Sequence, residues 1–506
     1  MKLKYTFSGL VCGLLLITTS CNLDYDPVSS YSDVTQGIDD SGNEIVFKDK
    51  ADVEAHMKTI YNQMRDRQEH WYMDLLLIAD SHSDNAYAGT TGAEVVPFEN
   101  NAIEGSNSVI KRDWDRYLED IARANKLIVN VDDVDDDTFT TTERATYKAQ
   151  AKIFRAMVFF DMVRIWSRIP VITYVGDDIT SENIDEIYPQ YFPKQNSELE
   201  AYQQIEEDLL DALNAAPDNN TADKTLFTKS VARTLLAKVY AEKPLRNYDK
   251  VLQYCDEVTA DGFDLVDDFS DLFGMNDANT DAKMRNTKES ILEAQFFPGS
   301  GNWCTWMFGR DIVNWNTQFT WAKWVTPSRD LIKAYKDEGD NIRANESIVY
   351  YACTWNNYYP ADNYPFMYKC RSANSSIIKF RYADVLLLKA EALILKNNPD
   401  LSAAADIIDK IRNRVKLGKL SAGTKNNKDL MLNALLKERR LELAFEGQRW
   451  FDLVRLDKVE EVMNAVYAKD SGRKPLIYAF DQNSYRLPIP QGAIDQNPNL
   501  EQNPGY

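Results

Sequence analysis

Residues 228–262 decide the fold of this chain and read TKSVARTLLAKVYAEKPLRNYDKVLQYCDEVTADG. Apolar residues recur at helical spacing in two runs, 228–241 and 248–259, which a short polar turn separates. The stretch has about the length of one tetratricopeptide repeat, and Leu236 and Tyr240 stand at fitting positions in it. The pattern predicts a pair of helices that pack their apolar faces together.

The same helical spacing extends in both directions from this pair. It recurs in the segments 51–67, 110–131, 143–166, 197–215, 378–395, 402–415 and 429–445. Several second helices also share one apolar pattern at i, i+4 and i+7, as in Val251, Cys255 and Val258. Strand-like alternation is scarce. We therefore predict an all-α scaffold of tetratricopeptide-like helix pairs with long ligand-binding loops and little strand, and a generic helical bundle is the alternative.

The start of the chain has the features of an export signal that ends at a lipid-attachment cysteine. Two lysines precede an apolar run over 7–17 that is too short to span a bilayer, and small residues lead into Cys21. We interpret 1–20 as a signal peptide, Cys21 as a lipidated residue and 21–47 as a polar tether. Bacterial lipoproteins usually carry Leu where this chain has Thr18, so an ordinary secretory signal with a chance cysteine is the alternative.

Charge and cysteine content exclude several classes of function. The formal net charge is −20, and removal of the two lysines in 1–20 makes it −22. Such a chain repels nucleic acid and anionic lipid headgroups. The four cysteines after Cys21 are scattered, without a CxxC pair, which argues against a disulfide framework or a zinc site. We predict no cofactor, no metal and no nucleic-acid partner.

A tryptophan-rich stretch at 296–324 is the most informative part of the chain for function. Chance would place fewer than one of the ten tryptophans in a window of this size, but the stretch contains Trp303, Trp306, Trp315, Trp321 and Trp324. Glycines at its start predict a loop. Polar side chains are interleaved with the rings, namely Arg310, Asp311, Asn314, Asn316 and Gln318.

This mixture of rings and polar groups suits a sugar. The C–H face of a pyranose lies flat on an indole ring, and its hydroxyl groups need amides, carboxylates and guanidinium groups. We predict a ligand-binding surface formed by the five tryptophans, with help from Tyr358, Tyr359, Tyr87 and Asn85. Because tryptophans usually serve a core, we expect only about two or three of these rings to face solvent.

The many carboxylates raise the alternative of a glycoside hydrolase. Hydrolysis needs two carboxyl groups held across the scissile bond, and the candidates are Glu438, Glu442, Glu446 and Asp452. Four arginines lie among them, at positions 439, 440, 449 and 455. Such a mixture is typical of ion pairs between helices, and paired carboxylates make poor general acids. We predict no catalytic residue.

Two further clusters could suggest a metal. His70 and His82 flank Asp80 and Asp84, but a chain with only three histidines more often uses them structurally. The acidic run 132–137 lacks the glycine and glutamate spacing of an EF-hand, so we interpret it as a solvated loop.

The C-terminal third resembles the SusD/RagB family of outer-membrane lipoproteins. The resemblance is carried by KFRYADVLLLKAEAL at 379–393, IRNR at 411–414, KERRLELAFEGQRWFDLVR at 437–455, RLPIP at 486–490 and the ending QNPGY at 502–506. The start at Cys21 and the segment 326–343 are also similar to the family. The resemblance is weakest across 296–324, where family members differ with their ligands.

The resemblance implies a cell-surface lipoprotein that captures an oligosaccharide or polysaccharide. Such a protein forms a lid on a TonB-dependent outer-membrane transporter of the SusC type and delivers the glycan to it. In this interpretation, 48–295 and 376–506 form the helical scaffold and 296–375 is a loop-rich ligand-binding insertion. A peptide or glycopeptide ligand on the same scaffold and, further off, a secreted glycoside hydrolase are the competing interpretations.

Overall fold

A computed structural model describes residues 47–89, 91–176, 183–299, 301–303, 312–314 and 324–506. The predicted signal peptide, Cys21 and nearly all of the predicted tether lie outside these residues. So do Trp306, Trp315 and Trp321 of the predicted ligand-binding surface.

Helices dominate the described residues, which confirms the predicted fold class. The helices of seven or more residues are α1 (Lys50–Asp66), α2 (Ser108–Asn130), α3 (Thr141–Trp166), α4 (Ile184–Tyr191), α5 (Glu198–Ala212), α6 (Lys229–Ala241), α7 (Tyr248–Ala260), α8 (Arg329–Glu338), α9 (Asn341–Ser347), α10 (Tyr382–Leu395), α11 (Leu401–Arg414), α12 (Lys428–Leu443), α13 (Arg449–Arg455) and α14 (Val459–Lys469). Shorter α-helical turns occur at Asp74–Leu76, Val96–Glu99, Ser270–Phe273, Ala422–Lys425 and Gln491–Gln496.

The helices start where local chemistry satisfies their first backbone N–H groups. Thr140 and Glu143 form a capping box at the start of α3, and Ser197 and Glu200 form another at α5. At the other end of α8, Gly339 adopts a left-handed conformation with φ of 69°, which a residue with a Cβ rarely adopts. These signals lie in the sequence itself, so the predicted ends are close to the observed ones.

Neighbouring helices pack as a continuous array. Each of α1, α2, α3, α5, α6 and α7 contacts the next in this order, and α10 then packs against α7, α11 and α12. The pair α6–α7 is the one that residues 228–262 predict. Its apolar face is buried at Val231, Leu235, Val251 and Val258. This confirms an array of helix pairs.

One predicted helix begins later than expected. Residues 378–381 belong to a strand, Ile377–Arg381, and α10 starts only at Tyr382. The strand pairs antiparallel with Ser290–Ala294, so that Ser290 lies opposite Arg381. Apolar spacing alone does not separate a short buried strand from the first turn of a buried helix.

The remaining strands are short. In chain order the strands are β1 (Ala86–Tyr87), β2 (Ser290–Ala294), β3 (Thr326–Pro327), β4 (Ile348–Tyr351), β5 (Tyr364–Met367) and β6 (Ile377–Arg381), and they form the antiparallel pairs β1–β3, β2–β6 and β4–β5. Together with α8 and α9, three of them lie inside the segment 296–375. This segment therefore carries regular structure as well as loops in its described part.

One large core runs through the helical array. It includes Trp71, Trp114, Trp166 and Trp450, each at most 1% exposed. A smaller cluster of Ile312, Trp355, Tyr364 and Phe366 lies under the β4–β5 hairpin. Among the described helices, none combines the length and the apolar character that a membrane crossing requires.

Candidate functional site

The described parts of the tryptophan-rich stretch are attached to the scaffold at four points. Asn302 donates from its backbone N to Ala373 O (2.7 Å) and from Nδ2 to Ser375 O (2.7 Å). Trp303 follows at once and contacts the end of α1. Ile312 is buried in the cluster under β4–β5, and Trp324 packs against the main core. These described parts are therefore held between the end of α1 and the β4–β5 hairpin.

Trp303 is the exposed ring of this face among the described tryptophans. Its side chain is 38% exposed, whereas its backbone N donates to Gln68 Oε1 at 2.6 Å. Gln68 is buried, and its Nε2 donates to Arg65 O (2.8 Å) and Gly301 O (3.1 Å). One buried amide therefore fixes the backbone on both sides of Asn302 and leaves the indole directed outward.

Trp324 lies at the other end of the stretch and is half-buried. Its carbonyl oxygen accepts a hydrogen bond from Ser81 Oγ at 3.0 Å. The chain then enters β3, which pairs with β1 so that Thr326 lies opposite Tyr87. The structure thus brings Trp324, Asn85 and Tyr87 to the same part of the molecule, although they are far apart in sequence.

Tyr87, Tyr358 and Tyr359 form one aromatic block. The rings of Tyr87 and Tyr358 are stacked, with centroids 4.6 Å apart and planes within 5°. Tyr359 lies 6.1 Å from Tyr87, and its hydroxyl donates to Pro327 O at 2.8 Å. The Arg329 guanidinium lies 4.6 Å from the Tyr359 ring centroid and 5.7 Å from that of Tyr87. Tyr87 and Tyr358 are buried, so Tyr359 and Arg329 form the more accessible part of this block.

Asn85 is enclosed by the scaffold. Its Nδ2 donates to Asp80 Oδ1 at 2.8 Å, and its Oδ1 accepts from Arg440 Nε at 2.9 Å. Asp80 in turn accepts backbone N–H groups of Phe445 and Gly447. Burial raises the pKa of Asp80 to about 6, although these three hydrogen bonds act in the opposite direction. Both ends of the Asn85 amide are thus bound to protein groups that connect the site to the loop after α12.

The segment that carries these residues has an irregular helical backbone. Two π-helical turns, Glu69–Met73 and Leu77–Ser81, flank Asp74–Leu76. Such turns are rare and occur frequently at functional sites. Asp74 anchors the segment to α2, because it forms an ion pair with Arg112 and faces Asp113 in the interior. Burial and the charge of Asp74 raise the pKa of Asp113 well above its ordinary value.

This buried acid pair predicts a pH dependence of stability. Asp113 keeps its proton to a higher pH in the folded protein than in the unfolded chain, where an aspartate ionises near pH 4. A group whose pKa is raised by folding stabilises the protein at low pH, and this contribution declines as pH rises toward the folded pKa. We expect Asp113→Asn to gain stability relative to the parent as pH rises above about 4, by up to about 1.4 kcal/mol for each pH unit. Urea unfolding of both proteins between pH 4 and pH 7 measures this, and parallel curves would contradict it.

The carboxylates that were candidates for a hydrolase site form ion pairs with arginines. Glu442 contacts Arg343 (3.0 Å), Arg381 (2.6 Å) and Arg414, and Arg343 also contacts Glu438 (2.7 Å). Burial alone would raise the pKa of Glu442, but the three guanidinium charges hold it well below its usual range. A carboxylate in this state cannot serve as a general acid near neutral pH.

The other members of this carboxylate-rich segment are paired in the same way. Asp452 contacts Arg439 and Arg455, each at 2.8 Å, and Glu446 contacts Arg381 at 2.7 Å. All of these side chains are at least nine-tenths buried. The interpretation of the segment as ion pairs between helices is confirmed, and these groups belong to the scaffold.

The two histidines near the acidic residues are also engaged in the interior. His70 Nε2 lies 2.8 Å from Asp120 Oδ2, and His82 Nδ1 lies 2.6 Å from Phe98 O. Burial lowers the pKa of His82 to about 4, so it stays neutral at physiological pH. The acidic run 132–137 is a largely exposed loop in which Lys148 pairs with Asp132. Both structural interpretations are confirmed.

Sequence reasoning missed Gln68 and Arg329, which hold the candidate site together. Gln68 reads as an ordinary polar residue after a helix, and nothing in its neighbourhood indicates a contact 235 positions away. Arg329 lies inside the predicted ligand-binding insertion, but neither the tryptophan excess nor the two tyrosines at 358 and 359 singled it out. Phe297 could have been predicted, because it belongs to the predicted ligand-binding stretch. Its side chain is 50% exposed in the structure.

Comparisons with known proteins agree with this architecture. The profile of the SusD family matches residues 246–506, and the profile of a family described as starch-binding associating with outer membrane matches residues 32–241. SusD-like protein P2 of Formosa agariphila is 27% identical, over 99% of this chain and 100% of its own length. A SusD-like protein of Bacteroides ovatus is 24% identical, over 90% of this chain and 82% of its own.

Solved structures show the same fold. A SusD superfamily protein from Bacteroides vulgatus superposes with a TM-score of 0.73 at 19% identity, over 91% of this chain and 100% of the other. A structure described as a laminarin binding SusD-like protein gives 0.69 at 22% identity, over 91% and 100%. The helical array, the paired carboxylates and the solved structures all agree with the profile of the SusD family. Because this profile alone covers more than half of the residues, this chain belongs to the SusD family.

Proposed function

We propose that this protein captures a glycan at the bacterial cell surface and passes it to a TonB-dependent transporter of the SusC type in the outer membrane. The observation that carries the proposal is the exposed ring of Trp303, whose backbone is bound to the buried Gln68 of the scaffold. The family membership supports a carbohydrate ligand, as does the laminarin binding SusD-like protein of the same fold. The ligand-binding surface comprises the stretch 296–324, Tyr359 and Arg329.

The buried residues of the predicted site support this surface from below. Tyr87 stacks on Tyr358 and lies beside Tyr359. Asn85 joins the chain before β1 to Arg440 of α12. Rings and amides that are already fixed lose little conformational freedom when a ligand binds. A preorganised platform of this kind binds a sugar without chemistry, and the engaged carboxylates favour capture over hydrolysis.

Replacement of Trp303 tests the glycan-binding surface. Stacking one indole on a sugar buries about 100 Å² of apolar surface, which is worth about 2.5 kcal/mol before ordering costs. We expect Trp303→Ala to weaken glycan binding at least tenfold and to leave the melting temperature nearly unchanged. Calorimetry with a panel of polysaccharides, including laminarin and starch, measures the affinity. The saccharides recovered afterwards should keep their chain length.

Tyr478→Ala is the matched control, because Tyr478 is also an exposed aromatic residue, 61% exposed, and does not belong to the proposed surface. It should bind every saccharide as the parent does. If Trp303→Ala also binds them all with the parent's affinity, the proposed surface is wrong. Binding of peptides in place of saccharides would favour the peptide alternative.

Replacement of Cys21 tests the anchor. Several acyl chains on one cysteine hold a protein firmly on a membrane, because each buried CH₂ contributes about 0.8 kcal/mol. We expect Cys21→Ala to move the protein from the membrane fraction to the soluble fraction. Cys12→Ala, inside the apolar run of the signal peptide, should keep it in the membrane fraction. A Cys21→Ala protein that still sediments with outer membranes in cells without the transporter would contradict the assignment.

A further inference from the structure

A second candidate site is an open cleft of about 440 Å³ beside the tryptophan-rich stretch. It lies between the C-terminal half of α1, the loop before α6, and β2 with the residues that follow it. Its volume falls in the range of sites for small organic ligands. None of Tyr87, Tyr358, Tyr359 and Trp303 lines it. Phe297 belongs to the tryptophan-rich stretch and lines the cleft, so the cleft adjoins the surface proposed above and shares this one ring with it.

The floor of the cleft is a rigid network of amides on a buried carboxylate. Glu293 is 1% exposed, and its Oε1 accepts from Asn286 N (2.8 Å) and Gln295 Nε2 (2.6 Å). Gln295 Nε2 also donates to Asn286 Oδ1 (2.6 Å), which accepts from Lys224 N at 2.8 Å. These bonds orient both carboxamides.

Each of the two carboxamides keeps one polar atom without a partner in the part of the chain that the structure describes, and these two atoms are complementary. Among the described residues, Gln295 Oε1 and Asn286 Nδ2 take part in no hydrogen bond. One is an acceptor and the other a donor, and both belong to side chains that line the cleft. A vicinal pair of hydroxyl groups can donate to the first and accept from the second. The donor–acceptor pair thus matches a polyhydroxylated ligand.

An aromatic wall stands beside these amides. Phe297 lines the cleft and is 50% exposed, and the Arg285 guanidinium lies 4.3 Å from its ring centroid. Arg285 is itself held by an ion pair with Asp281. The guanidinium contact supports the ring from outside the cleft. An aromatic wall next to oriented amides is the combination that a sugar ring requires.

The charges at the cleft are already paired. Asp223 Oδ1 accepts from Thr225 N (2.9 Å) and Thr225 Oγ1 (2.6 Å), and Arg65 Nε contacts Asp66 Oδ1 at 3.0 Å. The lining thus presents two acidic side chains, Asp223 and the buried Glu293, and one basic side chain, Arg65, each with a protein partner. An ionic ligand would have to compete with these partners, whereas a neutral one would not.

We infer that this cleft is a second carbohydrate subsite, which takes a neutral sugar unit of mono- or disaccharide size. The ligand class rests on the proposed function, which also includes Phe297 in its surface, whereas Gln295 and Asn286 are assigned from the cleft alone. The sugar ring packs against Phe297, and its hydroxyl groups bond to Gln295 Oε1 and Asn286 Nδ2. Gln68 connects the end of α1, which forms one wall, to Trp303, so the subsite borders the primary surface.

The cleft has a built-in reporter, because Met64 lines it and is 2% exposed. The full mature chain would carry ¹³C-methyl methionine, and the Met64 signal would be assigned with Met64→Leu. Maltotriose, laminaritriose and xylotriose are the probes. We expect at least one to shift the Met64 signal in the parent and in Trp303→Ala. Phe297→Ala should weaken this response at least tenfold. Met463, buried in α14, should not respond.

Two results would overturn the subsite. One is a Met64 signal that no trisaccharide shifts in the parent, and the other is a Phe297→Ala protein that titrates like the parent. Neither depends on the primary surface, because Trp303→Ala tests that surface separately through polysaccharide affinity. A loss of polysaccharide binding in Trp303→Ala with a silent Met64 would keep the proposed function and reject the cleft. If Met64 responds and Trp303→Ala binds polysaccharide like the parent, the cleft is kept and the proposed Trp303 surface is rejected.

Discussion

Arg381→Met should destabilise the protein by about 3–5 kcal/mol, because it removes one partner from a buried network of charges. Arg381 is 1% exposed and contacts Glu289 (2.7 Å), Glu442 (2.6 Å) and Glu446 (2.7 Å). Its Nη2 also donates to Glu442 O at 2.8 Å. Methionine fills much of the same volume, so little of the lost stability comes from a cavity. Most of it comes from the carboxylates that are left with fewer partners.

Urea unfolding measures this loss as a lower midpoint of the transition. Lys333→Met is the matched control, because Lys333 pairs with Asp337 at the surface, where the two side chains are 69% and 55% exposed. Exposed ion pairs contribute at most about 1 kcal/mol, and many contribute nothing measurable. Equal midpoints for Arg381→Met and Lys333→Met would mean that the buried network does not stabilise the fold.

Trp166→Ala should cost about 3–5 kcal/mol as well, because it removes a fully buried ring from the main core. Trp166 is the last residue of α3, and its ring packs edge-to-face on Trp114 with centroids 5.1 Å apart. Its Nε1 donates to Pro488 O at 3.1 Å, and its carbonyl oxygen accepts from Asn503 Nδ2 at 2.8 Å. One ring thus ties α3 to the C-terminal segment.

The loss should appear both globally and locally. Thermal unfolding gives the change in stability, and hydrogen exchange should show faster exchange at Leu487, whose N donates to Ile165 O at 2.8 Å. Trp303→Ala is the control, since its exposed ring contributes little to the core. If Trp166→Ala has the same melting temperature as Trp303→Ala and the parent, other contacts hold the C-terminal segment in place.

The helices could be predicted from sequence because each is specified by local signals. Apolar spacing gives the buried face, and caps such as Thr140 with Glu143 give the start. The mixture of acidic and basic residues around α12 likewise predicted ion pairs. Where helices carry many acidic and basic residues on faces that become buried, these residues have to pair, because an unpaired buried charge is strongly destabilising. The sequence did not predict the individual partners, because Arg343 lies in α9 and Arg381 lies in β6.

The candidate site was only partly predictable, because its geometry depends on contacts between distant segments. The tryptophan-rich stretch was visible as a local excess, and Trp303 is exposed as a platform residue requires. Asn85 and Tyr87 were predicted as ligand contacts, but the structure encloses them. A short polar or aromatic segment looks the same in sequence whether it faces solvent or pairs with a strand such as β3.

The sequence by itself determined the helical array, the family and the pairing of acidic with basic residues around α12. These follow from periodicity, motifs and charge balance within short stretches. Only the tertiary structure decided which residues reach the surface. Gln68 orients Trp303 across 235 positions, and the cleft at Phe297 joins α1, the loop before α6 and β2. Burial and cleft shape are properties of packed segments, and no single segment carries them.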